Sequence, residues 1–190
     1  ARRQRQMCIR DRYQGKRQIV FSKYLYIERD DFRETANRKF FRLTIGKEVR
    51  LKNAYIIKAE TCIKNDKGEL LEVHCTYDPK SKSGSNSEES QRKVKGTIHW
   101  VEINSSIDVK INEYERLFLK EKPEENDDLL KSINTDSKKL IVGKAERFVS
   151  SLKKGEKVQF QRKGYYIVED NQHASISFNK TVSLRDGWKK

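Results

Sequence analysis

Short apolar–polar alternations, separated by breaks rich in Gly, Ser and Asp, run along the chain from Arg17 onward. A period of two marks half-buried strands, and no long 3.6-residue period competes with it. The stretch "AYIIKAETCIKNDKGELLEVHCTY" sets out a hairpin and its register. Tyr55, Ile57, Ala59, Thr61 and Ile63 share one face, and Leu71, Val73, Cys75 and Tyr77 form the matching face across the turn. Bringing those faces together requires an odd loop, Asp66 to Gly68, with Gly68 in the left-handed conformation. That register sends Cys62 and Cys75 to opposite faces. Further strands are predicted in "KVKGTIHWVEI", "KKLIVGKAERFV", "KVQFQRKGYYIV" and "SISFNKTVSL". "DPKSKSGSNSEESQR" (78–92) reads as a mobile surface loop, and "KEKPEENDDLLKSIN" as an acidic connector with some helical tendency. Many short strands and no long helix predict an all-β chain built of two β-barrels, with an internal boundary that the pattern does not fix.

Within this pattern "VQFQRKGYYIV" (158–168) is unusual, because its outward positions carry amides and cations beside aromatics. On their own Gln159 and Gln161 read first as an ordinary solvated strand face, with a face that hydrogen-bonds a ligand as the alternative. Arg50 and Lys52 alternate with Val49 and Leu51. They suit either an edge that discourages aggregation or a track for phosphates. Phe160, Tyr165, Tyr166 and Trp100 read as core residues.

Charge tilts the balance. Of 190 residues 37% are charged, and the formal net charge is +14. A surplus of Lys and Arg this large points towards a polyanion, although a soluble basic protein without one fits too. No apolar run reaches membrane-spanning length and no signal peptide is visible, so a soluble, cytoplasmic protein is expected, with no membrane partner. Three widely spaced cysteines fit a reducing compartment. The arginine-dense opening, residues 1–12, is expected to be non-native sequence or a disordered arm.

Enzyme chemistry has no visible seat. His74, His99 and His173 lack metal-ligand spacing, no Cys-x-x-Cys occurs, and phosphate loops, dinucleotide turns and nucleophile elbows are missing. Adjacent Asp30 and Asp31 would point apart in a strand. His99 reads as a packed or hydrogen-bonded residue. No catalytic residue and no metal site is predicted.

Six blocks, "FSKYLYIERDDF", "FFRLTIGKEVRLKNAYIIKAE", "KVKGTIHWV", "YERLF", "VQFQRKGYY" and "FNKTVSLRDGW", resemble in order and spacing the C-terminal, anticodon-binding region of the glutaminyl-tRNA synthetase family. The resemblance covers residues 13–190. The glutamate-specific sibling is similar in its barrels but unlike this chain in "KGTIHWV" and "FNKTVSLRDGW". The family's catalytic domain, with its HIGH-like and lysine-serine-lysine signatures, has no counterpart here.

The resemblance implies two barrels, of the fold related to 5S-RNA-binding ribosomal proteins, that grip the anticodon loop of a glutamine tRNA. It implies a monomer that works with the catalytic domain of the same enzyme. No cofactor is expected in this chain, whereas the complete enzyme would use ATP with Mg to join glutamine to tRNA. Gln159 and Arg162 match a pair that contacts the central uracil, whose acceptor–donor–acceptor edge suits an amide and a guanidinium fork. Because the two positions lie three apart, Arg162 has to swing round at a bulge or at a Lys163–Gly164 turn. Arg42 falls where an arginine meets the third anticodon base, a guanine with O6 and N7 acceptors. Arg50, Lys52 and Lys39 fall near the first base and the phosphates; at positions 52 and 39 the family often carries arginine and sometimes glutamine. Two other readings predict different behaviour: a stand-alone module for structured RNA of the 5S type, and a bracing domain that binds no RNA.

Overall fold

The computed structural model describes residues 5–11, 15–119, 130–171 and 175–183, with backbone only for 5–11 and 15–17. The chain divides into two compact units, Ala1–Asn104 and Ser105–Lys190. Strands dominate both, as the alternating pattern requires.

Among its described residues the first unit contains ten strands: β1 (Arg5–Asp11), β2 (Gly15–Phe21), β3 (Leu25–Ile27), β4 (Phe32–Arg33), β5 (Leu43–Thr44), β6 (Glu48–Leu51), β7 (Ile56–Lys64), β8 (Leu70–Asp78), β9 (Thr97–Ile98) and β10 (Trp100–Glu102). Within the opening segment, expected to be non-native sequence or a disordered arm, Arg5–Asp11 forms β1, which pairs antiparallel with β2. The largest sheet runs β8-β7-β6-β9, and β3 pairs with β10. "KVKGTIHWVEI", expected as one strand, breaks at His99. Its first part joins β6 and its second joins β3, so one segment serves two sheets. Phe21, Phe32, Leu43, Val49, Tyr55, Ile98 and Trp100 meet in one core. Strands from separate ladders thus face a common interior, as those of a small barrel do.

The 55–77 hairpin follows the predicted register at both ends but not in the middle. Ile57 lies opposite Tyr77 and Ala59 opposite Cys75, while Lys64 lies opposite Leu70. Gly68 takes φ 78°, the conformation demanded of it. Between those ends two irregularities, at Ala59/Thr61 and at Ile63/Lys64, shift the pairing by one residue and back again, so that Cys62 faces Val73. The slip turns Cys62 and Val73 towards the core and leaves Ile63 44% exposed. Cys62 and Cys75 are both free thiols.

The Ser-rich segment is not the loose loop its composition suggests. Ser81 is fully buried; its hydroxyl donates to the Asp78 carbonyl at 2.6 Å and accepts from the Ile56 amide at 2.8 Å. The Ser83 hydroxyl donates to the Ala54 carbonyl at 2.8 Å, and Ser87 caps the short helix α1 (Glu88–Gln91) by accepting from Ser90 N–H. These serines supply the bonds that a ladder would otherwise provide.

The second unit is one five-stranded sheet, β12-β11-β15-β14-β13, made of β11 (Ser106–Tyr114), β12 (Lys138–Glu146), β13 (Lys157–Phe160), β14 (Gly164–Asp170) and β15 (Ile176–Ser183). Its core gathers Val109, Ala145, Val149, Leu152, Tyr166, Val168, Ile176 and Phe178. β11 and β15 run parallel and all other pairs in this sheet run antiparallel. The acidic connector expected at 120–134 lies largely outside the described residues.

Candidate nucleic-acid interface

"VQFQRKGYYIV" folds as two strands and a turn, not as one strand. Phe160 pairs with Gly164, and the intervening Gln161, Arg162 and Lys163 form the turn, closed by Lys163 N–H donating to the Phe160 carbonyl at 3.0 Å. Arg162 holds φ 64° there. A type II turn places a positive φ at its third residue and normally fills it with glycine, so a side chain here is strained. Gly164 is needed where it stands: a Cβ would lie 2.6 Å from the Val182 carbonyl oxygen.

Alternation then sorts the side chains. Phe160 turns inward, with its ring 4.5 Å from that of Tyr166 and 5.0 Å from that of Phe178. Gln159 points outward, exposed, opposite Tyr165. The core expectation holds for Tyr166 and Trp100, which are buried, and for half-buried Phe160, but fails for Tyr165, which is 47% exposed. It fails because Tyr165 shares the outward phase of Gln159. The spacing problem between Gln159 and Arg162 is met by the turn: one side chain leaves the last stretch of β13 and the other leaves the turn beyond it, and both are exposed.

In the first unit, Lys39 and Arg42 share a cleft of about 580 Å³ with Asp30, Arg33, Phe40 and Phe41. The Asn37 carboxamide oxygen accepts from Lys39 N–H at 3.0 Å, and Phe40 N–H donates to the Asn37 carbonyl at 3.1 Å, which fixes the turn leading into the cleft. Arg42 Nη1 donates to the Asp30 carbonyl at 3.2 Å and lies 3.1 Å from the buried Asp31 carboxylate. Asp30 and Asp31 therefore position Arg42. Arg33 lies over the Phe40 ring at 4.8 Å. Arg33, Phe40 and Phe41 carry no pattern signal of their own; the signal is the cations on either side of the two phenylalanines.

Arg50 stands elsewhere. Its Nη1 donates to the Ser81 carbonyl at 3.0 Å and the Ser83 hydroxyl at 3.3 Å, and its Nη2 to the carbonyls of Ser90 at 2.9 Å and Arg92 at 3.1 Å. The guanidinium clasps the Ser-rich segment. Burial, and next the neighbouring Arg92 charge, lower its pKa from the ordinary value. Arg92 is itself raised, first by its hydrogen bond to Glu48. Lys52 lies in the turn after β6 and not on the strand, so it does not alternate with Arg50 along one face. Its main chain is fixed by Ile98 O at 2.9 Å and by Trp100 Nε1 donating to its carbonyl at 3.0 Å. The structure thus places Lys39 and Arg42 on one cleft, puts exposed Gln159 and Arg162 on one hairpin, and puts Arg50 on β6 but Lys52 in the turn after it.

Among the described residues no group of three His, Cys, Asp or Glu side chains could hold a metal ion, and no helix is long and apolar enough to cross a membrane. What the two units offer is exposed amide, guanidinium and aromatic groups on β scaffolds, the equipment of a nucleic-acid-binding domain.

Two family models, both described as "tRNA synthetases class I (E and Q), anti-codon binding domain", match residues 4–78 and 97–169. The chain belongs to this family of anticodon-binding domains. It is 43% identical over 179 residues to a glutamine–tRNA ligase of Nitrosomonas europaea, covering 93% of this chain and 32% of that protein. Against the glutamine–tRNA ligase of Rhodopirellula baltica it is 45% identical over 184 residues, 95% of this chain and 30% of the relative. A glutamine–tRNA ligase of Vibrio parahaemolyticus gives 43% over 178 residues, 93% and 32%. The chain spans about a third of the length of these curated relatives.

Proposed function

We propose that this chain reads the anticodon loop of a glutamine tRNA, CUG or UUG, as the C-terminal part of a glutamine–tRNA ligase. The observation that carries the proposal is the β13–β14 hairpin, which exposes Gln159 on its strand and Arg162 in its turn, in a chain of this family. The amide offers one donor and one acceptor to the central uracil edge, and the guanidinium adds a charged fork for a carbonyl and a nearby phosphate. Arg42, positioned by Asp30 and Asp31, serves the third base, and Lys39 supplies charge in the same cleft; Lys52, in the turn after β6, supplies a cation for the phosphates. Arg50, with four hydrogen bonds to its own chain, acts by holding the Ser-rich segment and contacts no base.

The joining of glutamine to tRNA, with ATP and Mg, belongs in this reading to the portion of the relatives that the chain does not span. The chain itself only binds; its partners are the tRNA and that catalytic portion, and the complete protein works as a cytoplasmic monomer.

The test is the affinity of the chain for a glutamine-tRNA anticodon stem-loop beside one whose central uracil is replaced. The intact loop is expected to bind more tightly by about 1–3 kcal/mol, the range of one well-made bidentate base contact. Gln159→Ala is expected to remove most of that difference. Equal affinity for both loops would defeat the proposal and leave a module for structured RNA.

A further inference from the structure

Phe41 is 51% exposed within the Arg33–Lys39–Arg42 cleft. A single exposed aromatic needs no explanation by itself; its setting gives this one meaning. Its backbone is fixed, because a Cβ added at Gly96 would lie 2.3 Å from the Phe41 carbonyl oxygen, so the two main chains are in close contact. Its neighbour Phe40 is half-buried and already faced by the Arg33 guanidinium, whereas Phe41 offers its ring to solvent. Beside it, Arg42 commits only Nη1, to Asp30 and Asp31; Nε and Nη2 make no hydrogen bond with the described residues. An open ring, an unused pair of N–H donors and two further cations meet in one place. An unpaired nucleobase answers all three, with a face that stacks, an edge that accepts and a phosphate that pairs.

We propose that Phe41 is a stacking platform for the unpaired base whose edge Arg42 reads. The inference rests on the reading of the chain as an anticodon binder and narrows this cleft to one nucleotide, the third of the anticodon. Arg42 fixes which base is accepted, and Phe41 supplies affinity that is indifferent to base identity.

The experiment compares the affinities of the wild-type chain, Phe41→Leu and Phe41→Trp for the glutamine-tRNA anticodon stem-loop. The same loop made abasic at the third anticodon position, and one with its central uracil replaced, serve as controls. Leucine keeps apolar bulk without a π face, and is expected to weaken binding about tenfold on the intact loop. Tryptophan is expected to bind within about twofold of wild type. On the abasic loop the leucine variant is expected to cost nothing further, since no base is left to stack. A leucine variant that binds the intact loop as wild type does, while still rejecting the central-uracil control, would overturn the stacking role and spare the functional reading. A leucine penalty that persists on the abasic loop would overturn it too. Failure of the wild-type chain to tell the intact loop from the central-uracil control would instead sink the functional reading itself. Thermal melting of each variant establishes that a change in affinity is not a loss of fold.

Discussion

Arg162 pays a conformational cost where it stands. At φ 64° an ordinary side chain loses on the order of 1 kcal/mol relative to glycine, and turns commonly put glycine there. Strain at an exposed arginine is a reason to suspect that its side chain is wanted. Arg162→Gly relieves that backbone strain and is expected to weaken anticodon-loop binding about tenfold. A glycine variant that binds as tightly as wild type would show the arginine to be incidental. Arg50 is the reverse case. Arg50→Ala would leave carbonyls of Ser81, Ser90 and Arg92 without their donor, at a cost of about 2–4 kcal/mol and a melting temperature lower by roughly 10 °C or more. Arg50→Lys should recover little of this, since an ammonium cannot span four acceptors as a planar fork does. Unchanged melting in Arg50→Ala would refute the clasp.

Hairpins show how far pattern reaches. For 55–77 the loop length, the glycine and the pairing at both ends followed from alternation alone, because one buried face permits only one phase. The double slip in the middle was invisible, since a bulge needs a single extra residue and leaves no compositional trace. At 158–168 the alternation was real and a bulge or a turn at Lys163–Gly164 was expected, but the turn falls earlier, over Gln161 to Lys163, which carry none of the Gly, Asn or Pro that usually announces one. The candidate site was legible to the same degree. Gln159, Arg162, Arg42 and Lys39 could be named from the sequence; in the structure Gln159, Arg162 and Lys39 are exposed and Arg42 is half-buried. Arg50 was named as a candidate, but its hold on the Ser-rich segment shows only in its acceptors, which are contributed by residues 31 to 42 positions away. No spacing rule connects such partners. Phe41 escaped because an aromatic beside an aromatic reads as core until burial is measured.

At the scale of the molecule the surplus of cations is the dominant quantity. A net charge of +14 over 190 residues favours any polyanion, and so adds affinity without choice; choice has to come from a few oriented groups such as Gln159 and Arg42. The two contributions separate with salt. Raising monovalent salt from about 50 to 200 mM should weaken anticodon-loop binding at least tenfold, because each single-strand phosphate contact contributes about −0.7 to the logarithmic slope. The ratio between intact and central-uracil-replaced loops should change far less. A flat salt response would mean that the basic surface does not face RNA.

The clasped serine segment has a practical consequence. Lys80 and Lys82 look like open targets for trypsin, between a strand and a four-residue helix. A protease, however, must draw several residues into an extended shape in its cleft. Here that would mean prising out the buried Ser81 hydroxyl and unthreading a guanidinium from Ser81, Ser83, Ser90 and Arg92 together. Digestion used to map autonomous pieces would pass this segment by, and a fusion partner or label spliced in at its most linker-like point would break a knot where the composition promised a tether.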